Sequence, residues 1–207
     1  MSEIPVWLDW VQRLQSLAQA GLTYSQNEFD LDRYRQIQII AAEILSNGTD
    51  LTFDKTHQLL ADERGYVTPK LDVRGVVFKD GKVLLVKELA DGGWTLPGGW
   101  VDIGEPPALS AEREVWEESG YNVRSVKLLA LYDNRKHDFY PTFNHIYKLF
   151  FLCELIGGEP TNSIETSDAQ FFARDEIPPL SNGRITAKVL ETMFELALNP
   201  EAPTDFD

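Results

Sequence analysis

The sequence predicts an α/β domain preceded by a small all-α one. From Ile4 to about Glu63, apolar side chains recur at helical spacing. Beyond Tyr66 the pattern changes to short apolar runs separated by Asp-Gly and Gly-Gly turns. Within that second part lies one helix crowded with glutamate, Pro107–Ser119. The boundary near Tyr66 divides the chain into residues 1–66 and 67–207.

In the first part, Trp7, Trp10, Val11, Leu14, Leu17, Ala18 and Leu22 follow the i, i+3, i+4, i+7 rule of an amphipathic helix, and Gly21 reads as its break. Asp30 is a fair N-cap for a second helix, with Leu31, Tyr34, Ile37, Ile40, Ala41, Ile44 and Leu45 on one side and Asn47-Gly48 at its end. A third, capped by Thr52, runs from Phe53 to Glu63. So small a piece buries a thin core by itself. Its wide apolar faces need a partner, and a homodimer through this domain is expected.

In the second part, Leu71–Phe78 and Lys82–Lys87 flank Asp80-Gly81, a strong hairpin signal. Trp94-Thr95-Leu96 is a short strand into Pro97-Gly98-Gly99. Pro106 and Pro107 suit the first turn of the next helix, where a missing N–H costs nothing, and Gly120 suits its left-handed C′ position. Strands follow over Asn122–Tyr132, His145–Leu155 and Ala169–Ala173, with Gly157-Gly158-Glu159-Pro160 read as a turn. A last helix spans Arg184–Leu198, and the acidic tail after Asn199 reads as loosely held.

Composition narrows the function. The 207 residues are 43% hydrophobic and 25% charged, a globular profile. No apolar run approaches the ~20 residues of a membrane span, and MSEIPVWLDW lacks the basic and apolar regions of a secretory signal. The single cysteine, Cys153, excludes an internal disulfide and sits in an apolar run as a small hydrophobe. A cytoplasmic protein is the expectation. The net charge of −14 argues against a broad grip on extended nucleic acid, but not against one nucleotide held through cations.

Glu114, Glu117 and Glu118 share one helix face at i, i+3 and i+4. Such a stripe repels itself unless a hard divalent cation ligates it. Arg113 lies four residues before Glu117, within pairing range. Gly98-Gly99, lacking Cβ atoms, lets backbone approach an ion or phosphate closely. Trp116 is expected on the opposite side, in the core or at an interface.

The wider spacing carries a resemblance. Gly99, Glu105, Arg113, Glu114, Glu117, Glu118 and Gly120 match G-x5-E-x7-R-E-U-x-E-E-x-G-U, the signature box of the Nudix hydrolase superfamily, where U is bulky and apolar. At a chance of roughly 7% for each match, seven coincide about once in 10⁸ windows. The one departure is Tyr121 at the last U, a packing position. The segments WLDWVQRLQSLAQAGLTYSQNEFDLDRYRQIQIIAAEIL, GYVTPKLDVRGVVF and LYDNRKHDFYPTFNHIYKLFFLCELIGGEP resemble a bacterial subgroup with a helical N-terminal domain, described as ADP-ribose or CDP-choline pyrophosphatases.

The resemblance implies an α/β/α sandwich with a mixed sheet. It implies hydrolysis of a nucleoside diphosphate linked to X, giving a nucleoside monophosphate and phospho-X, with two or more Mg²⁺ or Mn²⁺ ions. It assigns metal to Gly99, Glu114, Glu117 and Glu118. It leaves the general base open among Glu117, Glu118 and the downstream Glu165, and gives Glu105 a structural role near the helix start. Arg74 and Lys87 are candidate phosphate-side cations. His137 and Phe143 belong to an aromatic loop, Asp133–Asn144, expected to act as a lid. The alternatives are an RNA-end hydrolase of the decapping type and a non-catalytic nucleotide sensor; the intact glutamate stripe argues against the sensor.

Overall fold

The computed structural model describes residues 4–181, 183–199 and 201–207. Positions 1–3 of the expected helical domain, and 182 and 200 of the second, lie outside them. Two compact units emerge. Among the described residues, one comprises Lys70–Tyr140 and Ile146–Asp207, and the other residues 4–69 together with Pro141–His145.

The helical unit contains α1 (Val6–Tyr24), α2 (Glu28–Gly48) and α3 (Phe53–Ala61). Gly21 does not break α1. The Tyr34 ring of α2 fills the space a Cβ would take, its nearest atom 2.3 Å from that position, so glycine here permits close packing between helices. The N-cap of α2 is Asn27, not Asp30. Its Oδ1 accepts from the amides of Phe29 at 2.9 Å and Asp30 at 3.3 Å, which starts the helix earlier than expected. Val11, Ala41, Ala42, Leu45 and Leu60 form the core. The buried amides of Gln15 and Gln38 donate to the Leu60 carbonyl at 2.8 and 3.1 Å, supplying a partner near the C-terminal end of α3. Pro141–His145 folds with these helices. Phe143 packs on their core, and its carbonyl accepts from Gln12 Nε2 at 2.9 Å.

The second unit is built on a seven-stranded mixed sheet: β1 (Lys70–Lys79), β2 (Lys82–Glu88), β3 (Trp94–Thr95), β4 (Tyr121–Asp133), β5 (Ile146–Gly158), β6 (Thr166–Phe172) and β7 (Asp205–Phe206). The order is β3-β2-β1-β5-β4-β7, with β6 on β2. Strands β1 and β5 run parallel, Lys70 against Ile146 through Val77 against Cys153, while β1 pairs β2 antiparallel. Asp80 and Gly81 have φ of 51° and 76°, as a two-residue hairpin turn of the primed kind requires.

Alternation along β1 sends Val73 and Val77 to one face of the sheet and Val76 to the other. The first face packs against Ala111 and Val115 of α4 (Pro107–Ser119), and the second against Val189, Leu190, Met193 and Phe194 of α5 (Ala187–Leu198). This is the expected helix–sheet–helix layering. Gly75 on β1 lets α4 come close, since a Cβ there would lie 2.2 Å from a Val115 methyl.

Two further expectations fail in this unit. Gly157 and Gly158 are not a turn but the end of β5, paired with Asn122 and Tyr121. The tail is not loose. β7 pairs in parallel with Ala130 and Leu131, Tyr132 donates to the Asp205 carboxylate at 2.5 Å, and the Asp133 amide donates to Asp207 at 2.6 Å. Hydrogen bonding, which composition does not register, holds it. Cys153 is buried, 3% exposed, as expected.

Candidate active site

Helix α4 begins and ends as its sequence dictates. Pro106 is the extended N-cap and Pro107 the first helical residue. Gly120, at φ 78°, donates its N–H to the Trp116 carbonyl at 2.8 Å. Burying Ala111 and Val115 against the sheet turns Glu114, Glu117 and Glu118 toward a cleft of about 990 Å³. Gly98, Gly99, Asp72, Arg74, Glu165 and Arg184 also line it.

The three carboxylates differ in environment. Glu118 is 5% exposed and accepts from the Gly98 amide at 2.9 Å. Burial pushes its pKa up to about 7, against the pull of Arg74 and the Gly98 N–H, with the charges of Glu88 and Glu114 adding to the rise. Burial also raises Glu114, against Arg113. Glu117 is half exposed.

Arg113 ties the helix to the loop before it. Its Nη1 donates to Glu114 and Glu117, both at 2.9 Å, and its Nη2 donates to Glu105 at 2.9 Å and Ser110 at 3.2 Å. The i, i+4 partner was expected; Glu105 and Glu114 complete the set. These hydrogen bonds hold the Glu105 carboxyl below the usual range. Gly99 closes the other wall: a Cβ would stand 2.9 Å from a Glu114 oxygen, and its carbonyl accepts from the Val73 amide at 2.9 Å.

Glu114, Glu117, Glu118 and the Gly99 carbonyl form an all-oxygen donor set of the kind a hard divalent cation takes. In this form they are not gathered into a cage; among the described residues no group of three acidic, histidine or cysteine side chains is. The reason is visible. Arg113 cross-links Glu114 and Glu117, and the Gly98 amide holds Glu118. The desolvated Glu118 is the strongest sign of fit, because a buried carboxylate gains most from a cation.

Arg74 lines the cleft but is 2% exposed. It forks onto Asp72 at 2.8 and 2.7 Å and donates to the Leu96 carbonyl at 3.1 Å. Lys148 approaches the same carboxylate to 3.3 Å. Burial pushes the Lys148 pKa down to about 8, although Asp72 opposes the shift. Asp72 stays below the usual carboxylate range; burial works to raise it, and Arg74 and Lys148 outweigh that.

Glu165 lines the cleft from an exposed loop. The remaining candidates lie elsewhere. Lys87 is in the β2 ladder between Trp94 and Asp168, and is not among the lining residues. His137 stacks on Tyr132 with ring centres 3.8 Å apart and meets Asp207 at 2.8 Å, and Phe143 packs in the helical unit. Phe139 is 3% exposed in the sheet core. The two phenylalanine rings of the loop are used for packing, while Tyr140 is exposed. Trp116 is not in the core. It is 55% exposed and lines the cleft, as does Trp100. Asp72, Trp100 and Arg184 were missed. Asp72 sits two residues before Arg74 on the same strand and Trp100 directly follows Gly99, so both had a local mark, whereas Arg184 pairs with Glu88, remote in sequence.

Residues 68–193 match the NUDIX domain family, and residues 5–60 match a family described as a UDP-X-like, N-terminal oligomerisation domain. YjhB of Bacillus subtilis (strain 168), provisionally named an ADP-ribose pyrophosphatase, is 40% identical over 97% of both chains. A crystal structure of a UDP-X diphosphatase superposes with a TM-score of 0.64 at 29% identity, covering 97% of this chain and 98% of the other. That of an ADP-ribose pyrophosphatase from Streptococcus suis 89-1591 gives 0.63 at 38% identity, covering 68% of this chain and all (100%) of the other.

Proposed function

This chain belongs to the NUDIX family, and on that premise we propose that it is a metal-dependent pyrophosphohydrolase. It splits a nucleoside diphosphate linked to X into a nucleoside monophosphate and phospho-X, acting as a homodimer in the cytoplasm. The observation that carries this reading is Glu118, a carboxylate 5% exposed at the wall of the cleft, on one helix with Glu114 and Glu117.

A divalent cation held by Glu114, Glu117, Glu118 and the Gly99 carbonyl would neutralise pyrophosphate oxygens and acidify a water. The protein's own part is positioning and proton transfer. Arg113 fixes the rotamers of Glu114 and Glu117 and ties them to Glu105. Gly98 N–H fixes Glu118. The proton of the attacking water goes to a carboxylate oxygen of Glu117, Glu118 or Glu165, all of which line the cleft. The similarity to an ADP-ribose pyrophosphatase and a UDP-X diphosphatase supports ADP-ribose and UDP-X compounds as leading substrates, beside CDP-choline. The match to an oligomerisation family, with Trp10, Leu17 and Phe29 exposed at 53%, 64% and 76%, supports pairing through the helices.

The test is a turnover screen of ADP-ribose, UDP-linked sugars, CDP-choline and 5′-triphosphorylated RNA, with Mg²⁺, with Mn²⁺ and with chelator. Release of a nucleoside monophosphate from one of the first three, lost with chelator, is expected. Turnover of the RNA alone would contradict the substrate class.

A further inference from the structure

Three arginines line the cleft, and two have their donors engaged within its wall. Arg74 forks onto Asp72 and the Leu96 carbonyl; Arg113 is shared among Glu105, Glu114, Glu117 and Ser110. Arg184 is different. Its ion pair among the described residues is with Glu88, Nε to Oε1 at 3.1 Å, and no hydrogen bond is made by its Nη1 or Nη2 among them. Glu88 is 2% exposed while the Arg184 side chain is 36% exposed, so the pair is anchored at the carboxylate end and open at the guanidinium end.

The backbone that carries Arg184 is held as well. Leu180 bridges to Trp94, and the Ser181 amide donates to the Trp94 carbonyl at 2.8 Å. On the other side, Ile185 is 3% exposed in the core, and Thr186 caps α5 through the Val189 amide. Glu88 Oε1 has no hydrogen-bond partner among the described residues, so the two groups are held as an ion pair; with Nε turned to that carboxylate, the guanidinium presents its two Nη groups as a fork, the geometry that matches phosphate oxygens. The cleft otherwise carries more carboxylates than guanidiniums, so a polyanion entering it needs such a group.

We propose that Arg184, positioned by Glu88, binds a phosphate of the substrate through Nη1 and Nη2. The identity of the anion rests on the pyrophosphohydrolase reading; the fork does not. Glu88 is then a positioning residue that does not touch substrate.

Calorimetric titration with inorganic pyrophosphate at saturating Mg²⁺ tests this without relying on turnover. Arg184→Gln should weaken binding on the order of 10- to 100-fold, as for loss of a charge-assisted pair. Because that variant leaves Glu88 buried without its cation, the double variant Glu88→Gln/Arg184→Gln is measured beside it. It should melt closer to the wild type than Arg184→Gln does, yet bind as weakly. Arg184→Lys, which keeps the charge and loses the fork, should bind several-fold more weakly than wild type. A double or Lys variant that binds pyrophosphate as tightly as wild type overturns the proposal, as does a wild type that binds none. A wild type that shows the affinity difference but hydrolyses no nucleoside diphosphate derivative upholds Arg184 and refutes the hydrolase reading. Hydrolysis with equal affinities does the reverse.

Discussion

Burying Asp72 between Arg74 and Lys148 sets one negative charge against two positive ones where there is almost no water. Removing the shared partner of such a cluster leaves uncompensated charge. Asp72→Asn should therefore cost roughly 3–5 kcal/mol in urea unfolding. Lys148 makes a pH prediction. Its folded pKa, about 8, lies below the ordinary 10.5, so the folded chain releases this proton first. The contribution to stability is gained as pH rises from about 8 toward 10.5 and is lost as pH falls through 8. The urea midpoint of the wild type, relative to Lys148→Met, should rise between pH 8 and 10; a constant difference would contradict the shift. At this scale the sequence shows what is local. The Arg113–Glu117 pair follows from helical spacing. Asp72 stands two residues before Arg74 on the same strand, a pairing that strand alternation allows, but Leu96 and Lys148 join the cluster only through the turn after β3 and through sheet pairing, so Arg74 reads only as a strand cation. Arg184 stays hidden for the same reason: Glu88 belongs to a distant strand.

At the scale of elements, α4 is fully legible, bounded by Pro107 and Gly120 for reasons that operate within one turn. The hairpin at Asp80-Gly81 is equally so. Gly21 is not, because its role depends on Tyr34 of another helix. Gly21→Ala makes the point measurable. Helix propensity alone would favour alanine by roughly 1 kcal/mol. The Tyr34 ring standing 2.3 Å from the new Cβ should reverse the sign, for a net loss of about 1–3 kcal/mol, as overpacking gives. Chemical denaturation of the pair would decide it, a gain in stability contradicting the packing role. β7 was unreadable because two residues carry no periodicity, and only their partners on β4 make them a strand.

For the whole molecule, the helical region ahead of an α/β part is legible in the sequence, and the mixed sheet follows from the family resemblance. The return of Pro141–His145 to the helical unit is not legible, since a five-residue loop segment gives no sign of which surface it will join. Deleting residues 1–66 removes the element matched to an oligomerisation family and leaves Phe143 without its core. Light scattering should then show a smaller assembly than the full chain or an insoluble product; a stable, active fragment of unchanged size would contradict pairing through the helices. The proposed activity turns on Glu118 and a divalent cation. The most direct measurement is release of nucleoside monophosphate from ADP-ribose or a UDP-linked sugar by wild type and Glu118→Gln, with and without Mg²⁺, the fold of the variant checked by circular dichroism. The expected result is turnover that needs Mg²⁺ and falls on the order of 100-fold or more in the variant. Turnover that survives chelation, or a folded variant as fast as wild type, would contradict it.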